Sequence, residues 1–502
     1  MSSATTTTRR LRAFKRWMKS QGIDCSDALE LTDGEEGIAV RAFCDLKEGE
    51  LVATIPKNAC LSIKTSAARE MIEEAGLADS LGLSVAVMYE RSLGEASKWF
   101  GYLQLLPDRE SVPLVWTLDE VDRFLAGTEL HKIVKEDKTI IYEDWKECIL
   151  PLMDLEQLKI NPNSFAVEQY FAAKSLVSSR SFEIDDYHGS GMVPLADLFN
   201  HKTGDENVHF TSPSSDSSSE NESDEEEENH NEDYDNHNKL SDEDIAAVRI
   251  NSPAALAEDN ATDSGDPAAL EMIIVKGVIT GDEVFNTYGS NGNAALLHRY
   301  GFTELDNPFD IVNIDLSLVL GWSSSLFSSR YSRARVSLWR RLDCSGCVSQ
   351  DSEYFEVSSD GQPQLELLIL LYVIFLSEEA YNKLDHTLTS SVGNINTSIN
   401  VLLFDKFKIR PLKTPEMAKE FLFTSEVRKG IVSIADIREK LYGMNSLEDD
   451  VKALQNCCMK ERKLYHSLVL RVSERRIIQK LRTYASNSCR PKKRSFGSRC
   501  KT

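Results

Sequence analysis

Two strand-like stretches, 191–210 and 269–289, stand on either side of a long acidic tract, and neither is enough to make a complete sheet. Each must find partners across the tract or elsewhere in the chain. A third stretch, "GIAVRAFCDLKEGELVATIP" at 37–56, lies far upstream and reads as two strands joined by the turn Lys47-Glu48-Gly49-Glu50. Pro56 ends the second strand, because proline offers no amide to a ladder. Whatever separates these β pieces has to be accommodated without breaking a shared sheet.

The tract itself is the first separator. Between Asp216 and Asp266 there are 18 Asp or Glu against Lys239 and Arg249, a net −16 that leaves about −7 for the rest of a chain of net charge −23. It has few apolar residues, a like-charge block and no periodicity, so disorder is expected. With β-like sequence on both sides, it reads as an insertion into a hairpin loop, not as a linker between domains. It is expected to be a solvated loop, or else to attract basic proteins by long-range electrostatics. Ser219 and Ser223 precede acidic residues and suit an acid-directed kinase.

The second separator is helical. From about 61 to 180 the apolar spacing is three and four, at Leu81–Tyr89, Val121–Val134 and Ile140–Cys148. Residues 13–30 also read as a helix, with Phe14, Trp17 and Met18 on one face. From 311 to 485 the chain is again helix-rich, with Leu367–Leu376 as a buried helix and an arginine-dense helix over Val469–Ala485. The resulting division is an N-terminal helical segment (1–30), a β-rich domain (31–310) with a helical insertion (about 61–180) and the acidic insertion (about 211–267), a helical domain (311–485), and a basic tail (486–502).

A chain of 502 residues can bury a large core. No apolar run reaches the ~20 residues of a membrane helix. Ten scattered cysteines and no secretory signal point to reduced thiols, and Cys344-Ser-Gly-Cys347 is a lone CxxC, read as a loop with two free thiols. The Ser/Thr- and Arg-rich start faintly suggests a transit peptide. Because Phe14 and Trp17 already belong to a folded helix, a nuclear or cytosolic chain is expected ahead of a chloroplast one. Pro491-Lys492-Lys493-Arg494 reads equally as a nuclear signal or a solubilising tail.

Four segments carry candidate chemistry: "EEGIAVRAFCDLKEGELV", "SSRSF" (178–182), "VPLADLFNH" (193–201) and "GDEVFNTYGSNGNAALLHRYGFTELDNPFD" (281–310). Singly, each has a plain reading as a strand entry, a solvated arginine, a turn or a strand end. In combination they resemble a SET-domain protein lysine methyltransferase. "GIAVRAFCDLKEGELV" resembles the opening SET strands, "ADLFNH" the Asn-His motif, and "GDEVFNTYG" the closing strand with its tyrosine. "ALLHRYGFTELDNPFD" is similar to the tail of one subclass, the Rubisco large-subunit and ribosomal-protein lysine methyltransferases.

The resemblance implies an α+β fold: a β-rich SET core with a knot-like C-terminal segment, a helical insertion, and an all-helical C-terminal substrate-binding domain. It implies S-adenosylmethionine as donor and a protein lysine as acceptor, in a monomer that takes a basic protein such as a ribosomal protein or histone, without direct nucleic-acid or membrane binding. It places Glu36, Gly37 and Ile38 along the donor by their backbone. Arg180 would pair with the donor's carboxylate, Asn200 would bond its amino-acid or ribose side, and His201 would present backbone groups, not a metal ligand. Tyr288 takes the catalytic tyrosine position, where it also borders the donor. With a phenol pKa near 10 it serves geometry, not base catalysis. Phe182, Phe210 and Tyr300 would wall the lysine channel, and Asp197 would orient substrate. Ala39 departs from the pattern, standing where a second glycine is usual. That departure supports an alternative, a catalytically weak SET protein that binds basic proteins. Histidine methylation is a further alternative, and a metal hydrolase using Asp197, His201 and His209 a distant one.

Overall fold

The computed structural model describes residues 3–34, 37–154, 161–211, 269–342, 354–390 and 421–487. Glu36, the acidic tract, Cys344–Cys347 and the basic tail lie outside the described residues.

The β-rich half is built from small sheets. β1 (Asp24–Cys25), β4 (Leu51–Pro56), β9 (Ala269–Ile274) and β8 (Val208–Thr211) form one antiparallel sheet in the order β1-β4-β9-β8. β2 (Leu29–Gly34) pairs with β3 (Gly37–Ala42), and β7 (Gly189–Met192) lies between β5 (Leu61–Ser62) and β6 (Ser181–Asp185). In β8 and β9, Thr211 stands opposite Glu271, so the acidic tract joins two antiparallel neighbours. The 37–56 stretch does make two strands, but they do not pair with each other. β3 takes β2, and β4 takes β1 and β9. After β9 the chain is held by isolated bridges instead of a regular strand, at Leu46–Val278, Arg41–Glu283 and His201–Asn286.

Two helical readings are corrected. The first helix spans Ser3–Ser20 and stops there, because Gly22 (φ +76°) turns left-handed and the Ile23 amide closes on the Met18 carbonyl at 3.0 Å. β1 and β2 follow within the stretch read as helix. Val121–Val134 is two helices, Leu118–Phe124 and Leu130–Asp144. The break is Gly127 (φ +82°), whose backbone lies so close to Leu441 that a Cβ would sit 2.6 Å from its carbonyl oxygen.

One apolar core runs from Leu11 to Val284 through the small sheets and the helices Asp79–Ser92 and Val167–Arg180. A second begins at Val312 and centres on the helix Leu365–Ile374, buried over Leu367–Ile374. Among the described residues of the second half, the strands are β10 (Val312–Asp315) and β11 (Tyr354–Val357), an antiparallel pair, and the other regular elements are helices. A third cluster, with Trp116, Val121, Leu125, Val134, Leu297 and Leu470, joins the helical insertion to the long helix Arg462–Asn487. Among the described residues no helix is long and apolar enough to cross a membrane.

Candidate active site

The site assembles around the segment 281–288, threaded between two others. On one side is β3: the Ala42 amide donates to Asp282 (2.9 Å) and the Val284 amide to Val40 (2.8 Å). On the other side the Asn286 amide donates to the Asn200 carbonyl at 2.8 Å, beside the parallel His201–Asn286 bridge. Residues 191–199 are buried throughout, and Asn200 is the first exposed residue after them. The apolar run therefore ends where the chain leaves the core at the site.

Gly37 opens β3 with φ +122°, a conformation for glycine, and a Cβ there would meet nothing within 4 Å. The backbone demands glycine, and the space beside it is open. Ile38 is half-buried against the core. Ala39 is buried opposite Thr32 of β2, so its methyl is covered by protein. The Asn200 side-chain amide donates to Glu283 Oε1 at 2.7 Å.

Leu195, fully buried, has φ +79° and ψ −49°, a γ-turn rarely taken by a residue with a side chain. This turn leads into the short 3₁₀ turn Ala196–Leu198, which presents Asp197 to Arg180 at the end of the helix Val167–Arg180. Arg180 donates Nε to Glu110 Oε1 (2.6 Å), and Nη1 to the Asp197 carbonyl (2.9 Å) and to its Oδ2 (3.3 Å). The Tyr102 hydroxyl donates to the same Oδ2 at 2.8 Å. The Asp197 side chain is 0% exposed and its Oδ1 has no hydrogen-bond partner. Burial pushes its carboxyl up to about 6, against the pull of Arg180. Arg180 is thus held by two protein carboxylates, with its cationic head at this end of the site.

Tyr288 is fixed on several sides. Its amide donates to His201 Nδ1 (3.0 Å), its hydroxyl donates to the Phe199 carbonyl (3.0 Å), and its ring stacks on His201 with centroids 5.1 Å apart. Tyr300 packs on its other neighbouring space at 4.5 Å, with Phe302 edge-on at 6.4 Å. Tyr300 is placed there as the last residue of the helix Asn293–Tyr300, which Gly301 caps in the left-handed conformation. Burial raises the Tyr288 hydroxyl further above the phenol range, while the Arg180 charge reaches it and pulls the other way. At neutral pH it is a protonated donor. Burial lowers the His201 pKa, so that ring is neutral.

The expected residues therefore divide. Tyr288, His201, Asn200 and Tyr300 meet directly or through 281–288, and Arg180 with Asp197 sits at Tyr288's electrostatic reach. Phe182 and Phe210 instead face each other across β6 and β8, with centroids 5.0 Å apart. Tyr102, Glu110, Leu195, Thr203, Glu283 and Phe302 were not foreseen. Glu283 and Phe302 stand inside quoted motifs, whereas Tyr102 and Glu110 carry no local signal in the helical insertion. No group of three or more His, Cys, Asp or Glu that could hold a metal occurs among the described residues, so Asp197, His201 and His209 do not form one.

No protein-family model matches the chain. It is 27% identical over 394 residues to "N-lysine methyltransferase setd6" of Salmo salar, covering 74% of this chain and 75% of that protein. It is 26% identical over 327 residues to "Ribosomal lysine N-methyltransferase 3" of Saccharomyces cerevisiae, covering 55% of this chain and 59% of that protein. Among solved structures, the SET domain of LSMT bound to lysine and AdoHcy matches with TM-score 0.63 at 17% identity, over 95% of this chain and 91% of that one. Rubisco LSMT bound to sinefungin and monomethyllysine matches with TM-score 0.62 at 17% identity over the same shares. The threaded 281–288 segment, the Asn-His turn beside it and these likenesses agree: the chain has the fold of the LSMT SET-domain structures and is similar in sequence to proteins named lysine methyltransferases.

Proposed function

We propose that this chain transfers methyl groups from S-adenosylmethionine to the ε-amine of a lysine in a basic protein. The observation that carries the reading is the fixing of Tyr288 by His201, Phe199 and Tyr300 beside the Asn200–His201 turn. The residues present fit the donor, since Gly37 leaves open space where any other residue would place a side chain. Gly37 and Ile38 would line it by backbone, Asn200 and His201 would hold its amino-acid and adenosine ends, and the Arg180 charge would face its carboxylate. When bound, the donor supplies a methyl group activated by a sulfonium.

The protein's own part is positional. Tyr288 keeps its proton, so it is not the base. Its hydroxyl is anchored on Phe199, and its ring with Tyr300 forms an aromatic wall suited to the apolar stem and cationic head of a lysine. Burial of the acceptor at such a wall lowers the ammonium pKa and favours loss of its proton. Holding amine and methyl in line supplies much of the rate. Asp197, locked by Tyr102 and Arg180, fixes the turn that leads to Asn200. Phe182 and Phe210 form a second aromatic surface for substrate, and the helical region from 311 onward selects the protein. Both curated relatives are named lysine methyltransferases, and the yeast one is named ribosomal. A ribosomal protein or a histone-like basic protein is the substrate class, acted on in the nucleus or cytoplasm by a monomer.

Ala39 favoured a binding module without catalysis. Its methyl is buried within the β2–β3 hairpin, which supports the enzyme reading. The test is incubation of wild type and Tyr288→Phe with methyl-labelled S-adenosylmethionine and a basic-protein extract. Wild type labels one or a few bands, and the variant loses at least about tenfold of that rate. Equal labelling by the variant would reject the role of Tyr288, and no labelling by wild type would reject the enzyme.

A further inference from the structure

We infer that Thr203 and Glu304 are positioning residues for the proposed reaction, aligning His201 and through it Tyr288; this rests on the function proposed above. The ring of His201 has its two nitrogens in different hands. Nδ1 accepts the Tyr288 amide at 3.0 Å, so its lone pair is engaged there. In a neutral ring the proton then sits on Nε2. Nε2 lies 3.0 Å from Thr203 Oγ1 and donates to it. The Thr203 hydroxyl in turn donates to Glu304 Oε2, and the Thr203 amide donates to Glu304 Oε1 at 3.1 Å. Every donor along this line has one acceptor, and every link has one direction: Tyr288 amide to His201, His201 to Thr203, Thr203 to Glu304.

The carboxylate at the end sets that direction. Being an acceptor only, Glu304 forces the Thr203 proton toward itself and leaves the Thr203 oxygen lone pair for Nε2–H. Reversed, the ring would carry its proton on Nδ1 and face the Tyr288 amide with a second donor. The ring that is locked in this way is the one stacked on Tyr288, with planes 22° apart.

Glu304 is itself held in place. Its amide donates to Asn293 Oδ1 (2.7 Å), and its carbonyl accepts from the Asn293 side-chain amide (2.8 Å). Asn293 also donates to Asp310 Oδ2 at 2.8 Å, and Ser473 of the long helix Arg462–Asn487 donates to the same oxygen. The line that orients Tyr288 therefore ends on the helical region expected to select the substrate.

The test uses the full chain and the variants Thr203→Val, Thr203→Ser and Glu304→Gln, with two readouts. In methyl-transfer kinetics, Thr203→Val lowers kcat about tenfold and leaves KM for donor and protein substrate within about twofold. Thr203→Ser restores the rate. Combining Thr203→Val with Glu304→Gln costs no more than Thr203→Val alone, because the line is cut once. Nitrogen-15 spectra of the His201 ring, assigned against His201→Gln, show Nε2–H as the single tautomer in wild type and Thr203→Ser, and mixed tautomers in Thr203→Val. A Thr203→Val protein with wild-type melting temperature and wild-type kcat overturns the inference, as does an Nδ1–H tautomer in wild type. If Thr203→Val does not fold, the wild-type tautomer still decides. If wild type transfers no methyl group, the function proposed above fails, and the ring spectra still test the alignment.

Discussion

Replacing Arg438 with methionine should destabilise the protein by about 3–5 kcal/mol, the cost of removing one partner from a buried ion pair. The Arg438 side chain is 5% exposed and donates to three acceptors in two parts of the chain: Nη1 to the Gly127 carbonyl (2.7 Å), Nη2 to Glu129 Oε1 (3.0 Å) and Nε to the Asn313 carbonyl (3.1 Å). Glu474, 3.9 Å from Nη2, accepts the Glu129 amide (3.0 Å) and the Tyr442 hydroxyl (2.6 Å). One guanidinium therefore clasps the helical insertion to β10 and to the long helix. Methionine matches the stem but leaves two buried carboxylates facing each other and two carbonyls short of a donor, each unmet group costing about 1–3 kcal/mol. The assay is urea unfolding of wild type and variant, followed by tryptophan fluorescence. A loss below about 1 kcal/mol, the scale of an exposed pair, would refute the clasp. The pH dependence gives a second check. Burial raises the pKa of both Glu129 and Glu474 in the folded state, and Arg438 opposes the rise. A raised carboxylate means the folded chain holds more protons than the unfolded one above the usual carboxylate value near ~4.3, so stability is lost as pH rises from there through the folded pKa, about 8 for Glu474. Without Arg438 both shifts grow, so the deficit should be largest at alkaline pH and shrink toward pH ~5. An equal deficit at both ends would contradict the reasoning.

Two further outcomes follow from the site. Gly37→Ala forces a side chain into φ +122°, a strain of about 1–3 kcal/mol with no clash to add; calorimetry should show donor affinity falling by about tenfold or more, and wild-type affinity would show that Gly37 is not in the donor site. Asp197, held at about 6 when folded, keeps a proton that the unfolded chain has lost above ~3.9, so its contribution to stability is lost between those values, an order of about 3 kcal/mol. Asp197→Asn should flatten the stability profile between pH ~4 and ~7; an unchanged slope would place the titration elsewhere.

What the sequence made legible is local. The turn glycine Gly37, the Asn-His pair after an apolar run and the tyrosine after "GDEVFNT" stand in short stretches whose alternation and breaks can be read directly. The paired strands flanking the acidic tract were legible for the same reason, and β8–β9 places them side by side. Strand partners were not, since 37–56 reads as two strands joined by a turn and yet β3 and β4 pair elsewhere. Residues 24–30 were absorbed into a helix because Phe14, Trp17 and Met18 set a period that Gly22 then interrupts. Tyr102 and Glu110 escaped because their meaning lies in contacts with Asp197 and Arg180, 95 and 70 residues away. The strained Leu195 left no trace, since nothing about a leucine announces a positive φ. Thr203 and Glu304 were missed for a related reason, although Glu304 stands in the 281–310 segment: their inferred part is played through His201.

The most direct test of the central claim is mass spectrometry of a basic protein methylated by this chain with isotope-labelled S-adenosylmethionine. The account predicts labelled methyl on a lysine ε-amine, reduced at least about tenfold when Tyr288→Phe replaces wild type. Labelled methyl on histidine, or none on any residue while the donor binds tightly, would contradict it.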